Sequence, residues 1–145
     1  MKFLAVDTAN EYLCVVAYKD GKAVTAFLPD SSMRHSTELM AQVEKALTEC
    51  ELTLAECDFF AAVVGAGSFT GLRIGISTMK GFALATGKKT LPITSFDIVA
   101  YNAIDTQCKV LCLVDALHGY YYACGYERGE VVYPPAYISE EEVRA

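Results

Sequence analysis

Apolar and polar positions along this chain alternate between the two-residue period of a strand and the longer period of a helix. Phe3-Leu4-Ala5-Val6 is apolar and stops at Asp7, which predicts a buried first strand. Tyr12 to Tyr18 is a second apolar run, and Ala23 to Leu28 a third, closed by Pro29. Asp20-Gly21 between them is a tight-turn signal, because glycine accepts positive φ at little cost. The opening therefore reads as an antiparallel meander. Leu39, Val43, Ala46 and Leu47 then form one apolar stripe at helical spacing, with Glu38, Gln42, Lys45 and Glu49 on the other side. Thr53-Leu54-Ala55-Glu56 has the capping-box pattern of a short helical turn. Phe59 to Val64 is continuously apolar, as a central strand is. A glycine-rich turn, Gly65 to Gly71, leads into a helix from about Thr70 to Ala85. Thr90 to Ile93 reads as a short strand, and Ser95 begins another helix.

A second part begins at Lys109, and there the pattern repeats. Laying Val6 on Val114 without a gap also lays Asp7, Tyr12, Tyr18, Gly21 and Val24 on Asp115, Tyr120, Tyr126, Gly129 and Val132. Strand, aspartate, strand, glycine turn and strand recur in order, as in a duplicated unit. Two lobes that each open with such a meander describe an α/β protein of actin-like ATPase (ribonuclease H-like) architecture. The expected division is a first lobe over 1–104 and an incomplete second lobe over 105–145. Ser139-Glu140-Glu141-Glu142 starts a helix that the last residues leave without packing, which leads us to expect a truncated chain.

Composition narrows the function classes. The chain has 145 residues, 53% of them hydrophobic, enough for a substantial core. The apolar run at the N-terminus is too short for a signal peptide or membrane span, so the expected location is the cytoplasm, away from membranes. Net charge is −6, a poor basis for gripping a polyanion, and Lys88-Lys89 is the only adjacent basic pair. Contact with nucleic acid is thus expected only through a partner. None of the six cysteines has C-x-x-C spacing; Cys14, Cys108, Cys112 and Cys124 lie in apolar runs and are expected in the core, reduced.

The turn Gly65-Ala66-Gly67-Ser68-Phe69-Thr70-Gly71 fits phosphate motifs badly. It ends Gly71-Leu72-Arg73 where a Walker A loop needs Gly-Lys-Ser/Thr, and Thr70 stands where the dinucleotide fingerprint needs glycine. The nucleophile elbow is absent, because Gly67 directly precedes Ser68. The helix behind it carries only Arg73 and Lys80 as charges, and is otherwise apolar or small. Gly71 and Gly75 are four apart, a spacing that lets another backbone approach closely. The expectation is burial on two sides, one on the chain's own sheet and one on a partner. Gly75→Leu or Ala83→Glu would then abolish pairing and leave the monomer folded.

Val64 to Gly75 resembles the signature of the TsaB (YeaZ) family, dimerisation subunits of the bacterial machinery that makes N6-threonylcarbamoyladenosine at position 37 of tRNAs. The resemblance extends over Leu4 to Ala9, His35-Ser36-Thr37-Glu38-Leu39 and Val114-Asp115-Ala116. Ala66 departs from the family's usual proline. Leu117 stands for a common arginine and Tyr120 for a common glutamate. The catalytic relative, TsaD, carries a His-x-x-x-His pair on the matching helix; here Leu39 follows His35, so the metal pair is lost and no metal site is expected. A lone histidine there is expected to cap or to sit at the surface, and His118 has no evident partner ligand.

What the resemblance implies is a non-catalytic scaffold subunit for threonylcarbamoyl transfer. Its partner-binding face would comprise Leu39, Met40, Val43, Leu47, Gly71, Gly75, Thr78, Met79 and Phe82, in a helical bundle with a TsaD-like catalytic subunit. A TsaE-like ATPase would join the complex, and alone the chain would pair with itself. A vestigial nucleotide site would use Asp7, Thr8, Gly67 and Ser68, holding at most a weak ATP or ADP with Mg2+ in the complex. Against that, Asp7 and Thr8 could simply make local hydrogen bonds. The competing classes are an ATP-binding phosphotransferase or ATPase directed by Asp7, and a glycoprotease-type peptidase.

Overall fold

The computed structural model describes residues 1–31 and 33–145. The chain forms two compact units, residues 1–64 with 68–93, and residues 65–67 with 94–145. In the first, β1 (Lys2–Asp7), β2 (Leu13–Lys19) and β3 (Lys22–Leu28) make the meander, and β4 (Phe59–Gly65) and β5 (Lys89–Thr94) extend it to a five-stranded sheet. The strand order is β3-β2-β1-β4-β5, with β4 parallel to β1. Central β4 is buried on both faces over most of its length, which accounts for its continuous apolar run. The β2–β3 turn takes Asp20 at φ 48° and Gly21 at φ 102°, the left-handed pair that matches strand twist.

Register places the even residues of β1 and their partners on one face: Val6 pairs with Val15, Val15 with Ala26, and Leu4 with Phe60. That face carries the main core, and helices α1 (His35–Cys50) and α2 (Phe69–Thr86) cover it with Leu39, Val43, Ala46, Met79 and Ala83. α1 packs on β2 and β3, and α2 packs on β1. Both helices close with a left-handed residue, Glu51 and Gly87. Thr53 and Glu56 form their capping box around a single 3-10 turn, Leu54–Glu56. This is the ribonuclease H-like, actin-like ATPase architecture.

In the second unit α3 (Ser95–Tyr101) precedes β6 (Val110–Asp115), β7 (Tyr120–Glu127) and β8 (Glu130–Ser139), an antiparallel sheet in sequential order. A last short helix, α4, spans Glu140–Arg144. Phe96, Cys112, Val114, Cys124 and Tyr126 form its core. The repeat is visible in backbone detail. Asp7 Oδ1 accepts from the N–H of Ala9, and Asp115 Oδ1 from the N–H of Leu117. Arg128 and Gly129 repeat the left-handed pair of Asp20 and Gly21. The two copies differ at β7, where the register shifts around Gly125 while β2–β3 pairs without a break. Among the cysteines, Cys108 departs from expectation: it lies in the loop before β6 and is exposed, whereas Cys50, Cys57, Cys112 and Cys124 are buried.

Candidate partner-binding face

Helix α2 owes its position to two glycines. A Cβ on Gly71 would lie 2.0 Å from the carbonyl oxygen of Thr8, and one on Gly75 would lie 2.5 Å from Thr8 Oγ1. Both residues are buried against the end of β1. Thr8, 1% exposed, donates its hydroxyl to the Gly71 carbonyl at 2.6 Å. The small residues thus allow close approach within the chain itself. Leu39, Val43 and Met79 also point into the core. The expectation that Leu39, Gly71, Gly75 and Met79 face a partner is corrected on this ground: these residues are packed against their own sheet, and Val43, also buried in the core, meets the outer groove only along its lining. Gly75→Leu and Ala83→Glu would likewise disturb the monomer, because Ala83 is buried in the same core.

The other members of the set remain accessible. Met40 is 53% exposed, and Leu47, Thr78 and Phe82 are half-buried. Met40, Val43 and Leu47 of α1 line a groove with Leu52, before the 3-10 turn, Leu54, within it, and Phe82 of α2. Glu44 and Glu51 lie at the same groove. On the outer side of α2, the guanidinium of Arg73 stacks over the Phe69 ring at 3.8 Å, Gly81 is open, and Leu84 is 89% exposed. An apolar strip of this kind, bordered by charge, is surface that water solvates poorly.

The residues named for a nucleotide are engaged locally. Asp7 accepts from Ala9 N–H through Oδ1 and from the Tyr12 hydroxyl through Oδ2, both at 2.9 Å. Burial, and next the Asp7 charge, raise the Tyr12 hydroxyl pKa, and the same causes raise the Cys14 thiol. Ser68 is the N-cap of α2: its hydroxyl accepts from Gly71 N–H, and its own N–H donates to the Ala9 carbonyl. Gly67 belongs to the segment 65–67 that groups with the second unit.

His35 also differs from expectation. It is 2% exposed, and its Nε2–H donates to the Tyr12 carbonyl at 3.0 Å, tying α1 to the start of β2. The sequence reading missed this because nothing local to His35 signals a bond to a residue so distant in the chain. His118 sits exposed in the β6–β7 turn at φ 57°. Among the described residues, no three His, Cys, Asp or Glu side chains gather in a metal-binding arrangement. Nor is any helix there long and apolar enough to cross a membrane.

Comparison with known proteins places this geometry. Residues 27–142 match the family model of TsaD, described as tRNA N6-adenosine threonylcarbamoyltransferase. The chain is 32% identical to the tRNA threonylcarbamoyladenosine biosynthesis protein TsaB of Escherichia coli (strain K12), over 90% of this chain and 57% of that protein. YeaZ from Pseudomonas aeruginosa superposes with a TM-score of 0.81 at 27% identity, over 95% of this chain and 66% of that one. A Pseudomonas aeruginosa structure described as similar to peptidase YEAZ gives 0.85 at 28% identity, with the same coverage. The chain thus spans between just over half and two thirds of the length of these relatives. Matched by the family model over residues 27–142, and in space over nearly its whole length, the chain belongs to the TsaD family, alongside the TsaB (YeaZ) proteins it resembles.

Proposed function

We propose that this chain is a non-catalytic scaffold subunit in the biosynthesis of tRNA threonylcarbamoyladenosine. In this reading it pairs α1 and α2 with the corresponding helices of a TsaD-like catalytic subunit, which transfers the threonylcarbamoyl group to N6 of adenosine 37. The observation that carries it is the apolar groove of Met40, Leu47, Leu54 and Phe82, left open after the inner faces of both helices are spent on the sheet. The replacement of a second metal histidine by Leu39, itself buried, supports a role without chemistry. A TsaE-like ATPase completes the assembly, stable tRNA binding belongs to the assembled complex, and the chain works in the cytoplasm. No cofactor is held tightly, and ATP or ADP with Mg2+ belongs to the assembled state. An ATPase directed by Asp7 is disfavoured because both oxygens of that carboxylate are already bonded.

Met40→Glu tests the reading. The residue is exposed, so the variant should keep the melting temperature of the parent while losing capture of the TsaD-like subunit in co-purification. Capture undiminished with Met40→Glu and with Phe82→Glu would overturn the proposed interface.

A further inference from the structure

Lys88-Lys89, the only adjacent basic pair in the sequence, is not isolated in space. Lys80, two turns earlier on α2, lines the same surface depression as Lys88, Lys89 and Thr90, with Ala83, Leu84 and Gly87 between them. The turn that unites them is the end of the helix: Gly87, at φ 69°, reverses the chain, and both Gly87 and Lys88 donate their N–H groups to the Ala83 carbonyl. No carboxylate lines the depression. Among the described residues none of the three ammonium groups is in an ion pair, although most other basic residues of this unit are. Lysines near a helix C-terminus favour the helix dipole, which accounts for Lys88, just past the C-cap Gly87, but not for Lys80, which precedes the last turn of α2. Three unpaired cations on one surface of a chain with net charge −6 form a local exception to its field.

We infer that Lys80, Lys88 and Lys89 form a docking point for the phosphodiester backbone of RNA. The choice of RNA over an acidic peptide rests on the proposed role in tRNA modification. With so few phosphates contacted against a repulsive whole-molecule charge, the contact is weak alone and strongly salt-dependent. It adds to an affinity that the assembled complex supplies. The surrounding Leu84 and Thr90 offer nothing that reads a base edge, so the contact positions the RNA without selecting sequence.

The test uses the whole chain and a short RNA duplex at low salt. Backbone amide shifts are expected at Lys80 and at Lys88 to Thr90. The variant with all three lysines changed to alanine should bind at least about tenfold more weakly, with the slope of log affinity against log salt lowered by about 3. Unperturbed amides at these positions, or an unchanged slope, would overturn the inference. So would polyglutamate binding as well as the duplex at equal charge, or loss of TsaD-like partner capture by the variant, since either marks a protein-binding patch. The duplex arm does not involve the partner. Failure of the scaffold reading therefore shows as loss of capture by the unmodified chain, separately from the RNA result.

Discussion

At the scale of single residues, glycine does two opposite things on one helix. At Gly71 the missing side chain is a requirement, because β1 occupies the place where a Cβ would stand. At Gly81 nothing lies within 4 Å, and the residue only weakens the helix. Gly71→Ala should therefore destabilise the chain by about 3 kcal/mol or more, since backbone and not a movable side-chain tip must give way. Gly81→Ala should stabilise it by about 0.5–1 kcal/mol. Urea unfolding of the two variants checks this, and the same sign for both would contradict it. The sequence shows two glycines in similar apolar surroundings and cannot rank them. Their difference is the distance to Thr8, a residue of another element. Asp7 and Ser68 carry a similar lesson. Each could be read as a ligand to phosphate, and each proves to be occupied by backbone N–H groups within its own turn.

Elements were the most legible level. The meander, α1, the central strand β4, α2 and the second meander all stand where the hydrophobic periods predict them. Their ends follow local rules, with left-handed residues closing turns and capping boxes opening helices. Three such boxes recur, at Thr53/Glu56, Thr94/Asp97 and Ser139/Glu142. In each the bonds from the cap residue favour the ionised carboxylate and hold its pKa low; for Glu56 it falls to about 2, chiefly through the Thr53 hydroxyl. A carboxylate with a depressed folded pKa stabilises above its unfolded value, and that contribution fades as pH falls through the folded one. For Glu56 the window runs from about 4.5 down to about 2. Glu56→Gln should flatten the pH dependence of stability within that window and leave neutral-pH folding intact. The Glu56 carboxyl resonance followed by NMR should titrate well below the ordinary 4.5, and a midpoint near 4.5 would refute the bonded cap.

At the scale of the whole molecule, the charge is unevenly shared. Residues 94–145 carry eight carboxylates against three basic side chains, while residues 1–93 are close to neutral. The apolar groove on α1 and α2 thus lies in the unit less burdened by repulsion, as pairing with a second copy requires. Sedimentation of the isolated chain should show a concentration-dependent dimer, and Phe82→Glu should shift it to monomer. A monomer at all concentrations for the unmodified chain would refute self-pairing.

The order of strands and helices along the chain and the duplication were determined by the sequence alone. Those features depend on periodicity and residue identity at fixed spacing, which are local quantities. Which side of α2 was free, what His35 bonded to, and that Lys80 joined Lys88 and Lys89 were decided only by the tertiary structure. A nearly all-apolar helix has no polar face to orient it, so its inward side was chosen by steric fit. That fit, Gly71 and Gly75 against Thr8, involves residues far apart in the chain. The glycine-rich turn is legible as a signature in one dimension, but its physical purpose, bringing α2 down onto β1, exists only in three.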